Sequence, residues 1–93
     1  MNDDRADYVT FIARHLDLWR ENETDLQNTL TDLANEIVTR EERLAETVDT
    51  LERADLADEI ASRVDQLGPL LARLDGTRRD IHIAEQLAAL LAS

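Results

Sequence analysis

The sequence predicts an all-α fold, an up-down antiparallel bundle of three to four helices built around a long helical hairpin, and three observations carry that expectation. Apolar residues recur every three to four positions along most of the 93 residues, the period of one helix face, and no stretch alternates with strand period. At ~100° per residue, Leu26, Leu30, Leu33, Ile37, Leu44, Val48 and Leu51 share one narrow band, while Ala57, Ile60, Val64, Leu67, Leu71 and Leu74 form a second band roughly half a turn away. A straight helix through both would bury neither, so a reversal is expected near residues 52–56. The two terminal segments carry wider apolar faces that need more than one neighbour.

The first element, residues 4–20, presents Tyr8, Val9, Phe11, Ile12, Leu16, Leu18 and Trp19 over nearly half the helix circumference. Asp3 or Asp4 is placed to cap its free amides and complement its dipole. Residues 20–25, Arg-Glu-Asn-Glu-Thr-Asp, interrupt the apolar pattern, and Thr24 followed by Gln27 resembles a capping box, so a break is expected here. The second element, residues 25–52, carries the narrow stripe of a two-helix seam. Arg40 and Glu41 fall beside that seam, where their long side chains are expected to reach water.

Asp55 is the expected N-cap of a third helix over 56–74, with Asp58 and Glu59 in its first turn. Gly68-Pro69 lies inside it and predicts a kink or local break, because proline removes one helical hydrogen bond and crowds the preceding turn. Asp75-Gly76-Thr77 is the clearest punctuation: Gly76 suits a left-handed C-cap, and Thr77 with Asp80 suits the start of a last helix over 78–92. No internal repeat or low-complexity tract is apparent.

Length and composition set the class. Residues 1–93 read as a single helical-bundle domain, because so short a chain cannot sustain two cores. Absence of cysteine excludes disulfides and thiolate metal sites. Apolar runs are far shorter than a bilayer requires, and the acidic Met1-Asn2-Asp3-Asp4 start lacks the regions of a secretory signal, so a soluble cytoplasmic protein is expected. Twenty-one acidic residues against ten basic ones give a net charge of -11, and every basic residue is arginine. This balance fits a high-salt cytoplasm, where ions screen self-repulsion, or else a surface made for a basic partner. Direct binding to nucleic acid or to anionic lipid requires the opposite sign.

The chemistry-bearing residues are sparse. His82 and Glu85 stand three apart on one face, a spacing used by metal sites in bundles, usually with further carboxylates on facing helices. His15 borders the aromatic face and reads as a partly buried packing residue. Arg78-Arg79 would oppose the dipole of a helix starting at 78, which calls for acidic neighbours. There is no phosphate-binding loop, nucleophile elbow or zinc motif, and no catalytic residue, metal ligand or cofactor is assigned. The expected function is a non-enzymatic helical interaction or assembly module that self-associates as a homodimer, with Phe11, Trp19, Leu87 and Leu91 at the interface. An acidic regulator or nucleic-acid mimic occupying a basic surface, and a bundle binding metal through His82, Glu85 and carboxylates, are the alternatives.

Overall fold

The computed structural model describes the backbone of residues 2–92 and the side chains of residues 6–92. It holds two long helices, α1 (Asn2–Glu46) and α2 (Thr50–Ala92), with no strand among the described residues. The all-α class stands, but two helices replace the expected three to four. The reversal falls at 47–49, a few residues before the expected 52–56. The cap expected at Asp3 or Asp4 falls on side chains outside those described.

A strict alternation of four- and three-residue steps explains why each helix is so long. The buried and half-buried positions of α1 include Ile12, Leu16, Trp19, Glu23, Leu26, Leu30, Leu33, Ile37, Arg40 and Leu44. Those of α2 include Leu56, Ile60, Arg63, Leu67, Leu70, Leu74, Thr77, Ile81, Ala84, Ala88 and Leu91. These are the a and d positions of a seven-residue repeat abcdefg, the pattern of a two-helix seam. On α2 the d positions are Leu56, Arg63 and Leu70, whereas the expected Ala57, Val64 and Leu71 lie one residue further round and are exposed. Arginine at the middle d position hides that row from a hydrophobicity pattern. Among the described residues no large side chain is fully buried, as follows when a helix has one neighbour rather than three.

The chain divides into two compact units, Met1–Leu26 with Arg73–Ser93, and Gln27–Ala72. In the second, the turn is held by caps. Asp49 Oδ1 accepts from the Leu51 amide at 3.0 Å, making Asp49 the N-cap in place of the expected Asp55, which lies exposed inside α2. Arg53 Nη1 donates to the carbonyls of Leu44 and Thr47 at 2.7 and 2.8 Å, closing the C-terminal end of α1 where carbonyls have no helical donor. Val48 is 94% exposed in this turn, so it does not belong to the seam; Leu51 is exposed too.

The same unit contains a reciprocal square of charges at the seam. Arg40 Nε donates to Glu59 Oε2 at 3.0 Å and Arg63 Nε to Glu36 Oε2 at 3.2 Å. Each arginine also donates Nη1 to a carbonyl one turn back on its own helix, Arg40 to Glu36 and Arg63 to Glu59, both at 3.1 Å. Arg40 is thus a half-buried member of the seam. The residues involved share one short pattern, Glu-Ile-x-x-Arg, in Glu36-Ile37-Val38-Thr39-Arg40 and Glu59-Ile60-Ala61-Ser62-Arg63, too brief to stand out before the helices are paired.

In the first unit, Leu16, Ile81 and Ala84 form a buried cluster with Ile12 and Trp19 packed against it. A polar layer follows. Asn22 Nδ2 donates to Thr77 Oγ1 at 3.4 Å, and Arg78 Nε pairs with Glu23 Oε2 at 3.4 Å. The polar stretches 20–25 and 75–77, expected as two breaks, therefore belong to one layer, with Arg78, inside continuous helices. Thr24 Oγ1 donates to the Arg20 carbonyl at 3.1 Å, a bond within a helix rather than a capping box. Thr77 sits half-buried in the layer instead of capping a new helix, and Gly76 has no positive φ.

Pro69 likewise lies inside α2, which runs through it without a break. Its nitrogen leaves the Asp65 carbonyl without a helical donor, but both residues are exposed, so solvent takes the donor's place. Gly68 helps, since a residue before proline clashes in the helical region partly through its Cβ, which glycine lacks.

Two predictions follow from this assignment. Gly76→Ala should raise the melting temperature by several degrees, because a Cβ there meets nothing within 4 Å and interior glycine costs about 0.5–1 kcal/mol relative to alanine. Calorimetry checks it, and a lowered melting temperature would return residues 75–77 to a turn. Arg40→Leu combined with Arg63→Leu should melt no lower than the wild-type chain, since polar seam residues set register at a cost in stability and the two glutamates, about half exposed, return to water. A clear drop would assign the square a net stabilising role.

Candidate functional site

The seam accommodates two positions in seven, so apolar residues elsewhere in the repeat are left outside it. In the unit formed by Met1–Leu26 and Arg73–Ser93 they are not scattered. Positions g and c lie side by side on one flank of each helix, and in an antiparallel pair the two g rows border the same side of the seam. In α1 these positions hold Tyr8, Phe11, His15 and Leu18; in α2 they hold Asp80, Ile83, Leu87 and Leu90. Tyr8, Phe11, Leu18, Ile83, Leu87 and Leu90 are between 47% and 70% exposed. The opposite flank, at e and b, carries no large apolar side chain among the described residues: besides alanines it holds Thr10, Asp17, Arg20 and Thr24 on α1 and Asp75, Arg78, His82 and Glu85 on α2. Arg20 and Glu85 bridge it at 3.5 Å.

The apolar flank contains a groove of about 190 Å³ lined by Phe11, Ile12, His15 and Trp19 from α1 and by Asp80, Ile83, Ala84 and Leu87 from α2. Three rings form its α1 wall. Phe11 and His15 have centroids 4.0 Å apart, and His15 meets Trp19 edge-on at 5.5 Å. His15 Nδ1 donates to the Phe11 carbonyl at 2.9 Å, which fixes the ring against its own helix and places the proton of the neutral form on Nδ1. The groove is smaller than the ~300–1,000 Å³ usual for small-molecule sites, and it suits one or two inserted side chains better than a cofactor.

Of the interface residues expected from sequence, Phe11, Trp19 and Leu87 line this one groove, while Leu91 is half-buried at a d position of the seam. Trp19 serves both surfaces, since it also packs on the buried cluster. Tyr8, Leu18, Ile83 and Leu90 were absent from the expected interface although the seven-residue spacings that place them, Tyr8 to His15, Phe11 to Leu18 and Ile83 to Leu90, were present in the sequence. The missing ingredient was the seam register, without which g and c have no meaning.

The other chemistry-bearing residues are not drawn together. Glu85 is engaged by Arg20, His82 is exposed, and among the described residues no group of three or more histidine, aspartate or glutamate side chains is arranged to hold a metal ion. Arg78-Arg79 stands inside α2 rather than in a first turn, so no opposing dipole needs compensation there. No helix is long and apolar enough to cross a membrane among the described residues. Comparison with protein-family models, with curated proteins and with solved structures finds no match for this chain.

Proposed function

We propose that this chain is a non-enzymatic helical interaction or assembly module that self-associates as a homodimer in a high-salt cytoplasm. The observation that carries the reading is the one-sided apolar flank at Phe11, Leu18, Ile83 and Leu87, next to a groove sized for side chains. At this exposure the six large side chains offer roughly 600 Å² of apolar surface, the upper end for a monomer's largest patch and close to the ~800 Å² per partner of a standard interface. Two hairpins that cover such flanks against each other make a four-helix arrangement, the usual way for helices with wide faces to satisfy them.

A second reading rests on a different observation. The segment 27–72 carries eleven carboxylates and four arginines, and all four arginines, Arg40, Arg43, Arg53 and Arg63, already bond within the chain. Such an acidic surface suits a regulator that occupies a basic nucleic-acid-binding site. Salt separates the two readings, because it strengthens apolar association between like-charged copies and weakens an acidic-basic complex.

Sedimentation velocity at micromolar concentration in high salt should show a dimer for the wild-type chain and a folded monomer for Leu87→Asp, whose site is half-exposed and outside the seam. A wild-type monomer throughout would remove self-assembly. Circular dichroism should show the melting temperature rising with salt as the net charge of -11 is screened. Melting that is independent of salt, or lower in high salt, would favour the basic-partner reading.

A further inference from the structure

We infer that the partner on the apolar flank is a second copy of this chain, held by an arginine rim in which Arg14, Arg73 and Arg79 of each copy meet carboxylates of the other. This rests on the interaction-module reading and adds what fixes the partner. Of the arginines whose side chains are described, Arg20, Arg40, Arg43, Arg63 and Arg78 are in ion pairs and Arg53 caps α1. Arg14, Arg73 and Arg79 make no ion pair or hydrogen bond among the described residues, although the chain has twenty-one carboxylates to offer.

Arg14 and Arg79 border the flank directly, and Arg73 lies further along the same side of α2. Arg14 stands three residues after Phe11 and four before Leu18, and is therefore their neighbour on the helix surface; Arg79 stands four before Ile83. Arg73 occupies a g position, one turn before Thr77. A partner that covers Phe11, Leu18, Ile83 and Leu87 lies beside Arg14 and Arg79, and one that extends along the g row past Asp80 reaches Arg73. A basic partner would meet them as like charges, whereas a carboxylate-rich surface would pair with them. This chain is such a surface, and the rim is also self-complementary: Asp7 and Glu21 lie seven residues either side of Arg14 in the same row, and Asp80 lies on the flank itself. A two-fold contact, in which the same patch meets itself, can set each arginine against a carboxylate of the other copy.

The test compares dimer dissociation constants by sedimentation equilibrium at the lowest salt at which the wild-type chain is dimeric. Three variants are needed: a rim variant (Arg14→Gln, Arg73→Gln, Arg79→Gln), a charge-matched control with three exposed changes elsewhere (Gln27→Glu, Asn28→Asp, Asn35→Asp), and Leu87→Asp. Exposed ion pairs are individually weak, but six of them span the dimer and their effects multiply. The rim variant should therefore dissociate at least tenfold more readily than wild type, the control less than threefold, and the gap should close as salt is raised. Equal weakening of rim variant and control would overturn the rim and leave only general repulsion, as would a rim variant that matches wild type. A Leu87→Asp chain that dimerises like wild type would overturn the flank, and with it the reading on which the rim depends.

Discussion

A seam between two helices has room for two residues in seven, and that limit governs the rest of the molecule. It fixes which side chains are buried, it lets polar residues enter the seam only where they can reach both a partner and water, and it leaves every other apolar residue on the outside. Leu16, Ile37, Leu56 and Ile81 are buried because they fall on a or d, and Phe11, Leu18 and Leu87 are exposed because they do not. The apolar flank is a consequence of two-helix geometry, since apolar residues at g and c have no place in the seam.

The polar seam positions show how the limit is met. Arg40 and Arg63 lay their stems along the seam and turn their guanidiniums toward Glu59 and Glu36, while Glu23 and Thr77 meet Arg78 and Asn22. None of these groups is fully enclosed, so their value lies in alignment: slipping one helix against the other would bring apolar residues against charge. The square and the caps at Asp49 and Arg53 act on the same 27–72 segment, which also carries most of the surplus negative charge. Register there is enforced by specific pairs in spite of overall repulsion.

Much of the fold was legible, and the parts that were not share one cause. The helical class, a reversal near the middle, and the seam residues Leu26, Leu30, Leu33, Ile37, Leu44, Ile60, Leu67 and Leu74 follow from apolar spacing alone. Residues 20–25 and 75–77 were misread as breaks because a polar seam layer and a loop have the same composition, and only the facing helix tells them apart. Arg63 removed one member of the d row of α2, so the exposed Ala57, Val64 and Leu71 looked like the better stripe. The reach of Arg53 to Leu44 spans nine residues across a turn, beyond any local capping rule. At the candidate site, aromatic and wide-face residues pointed to Phe11, Trp19 and Leu87. The rim stayed hidden, because a sequence counts arginines without saying which ones the fold has already used.

The shared pattern of Glu36–Arg40 and Glu59–Arg63 has a further consequence. Each segment offers what the other accepts, so the square reads the same when the helices are exchanged. It therefore encodes direction and alignment but not identity: nothing in it distinguishes α1 facing α2 from α1 facing another α1. That choice is left to covalent connection, through a link of three residues that makes the neighbouring helix the nearest complement available.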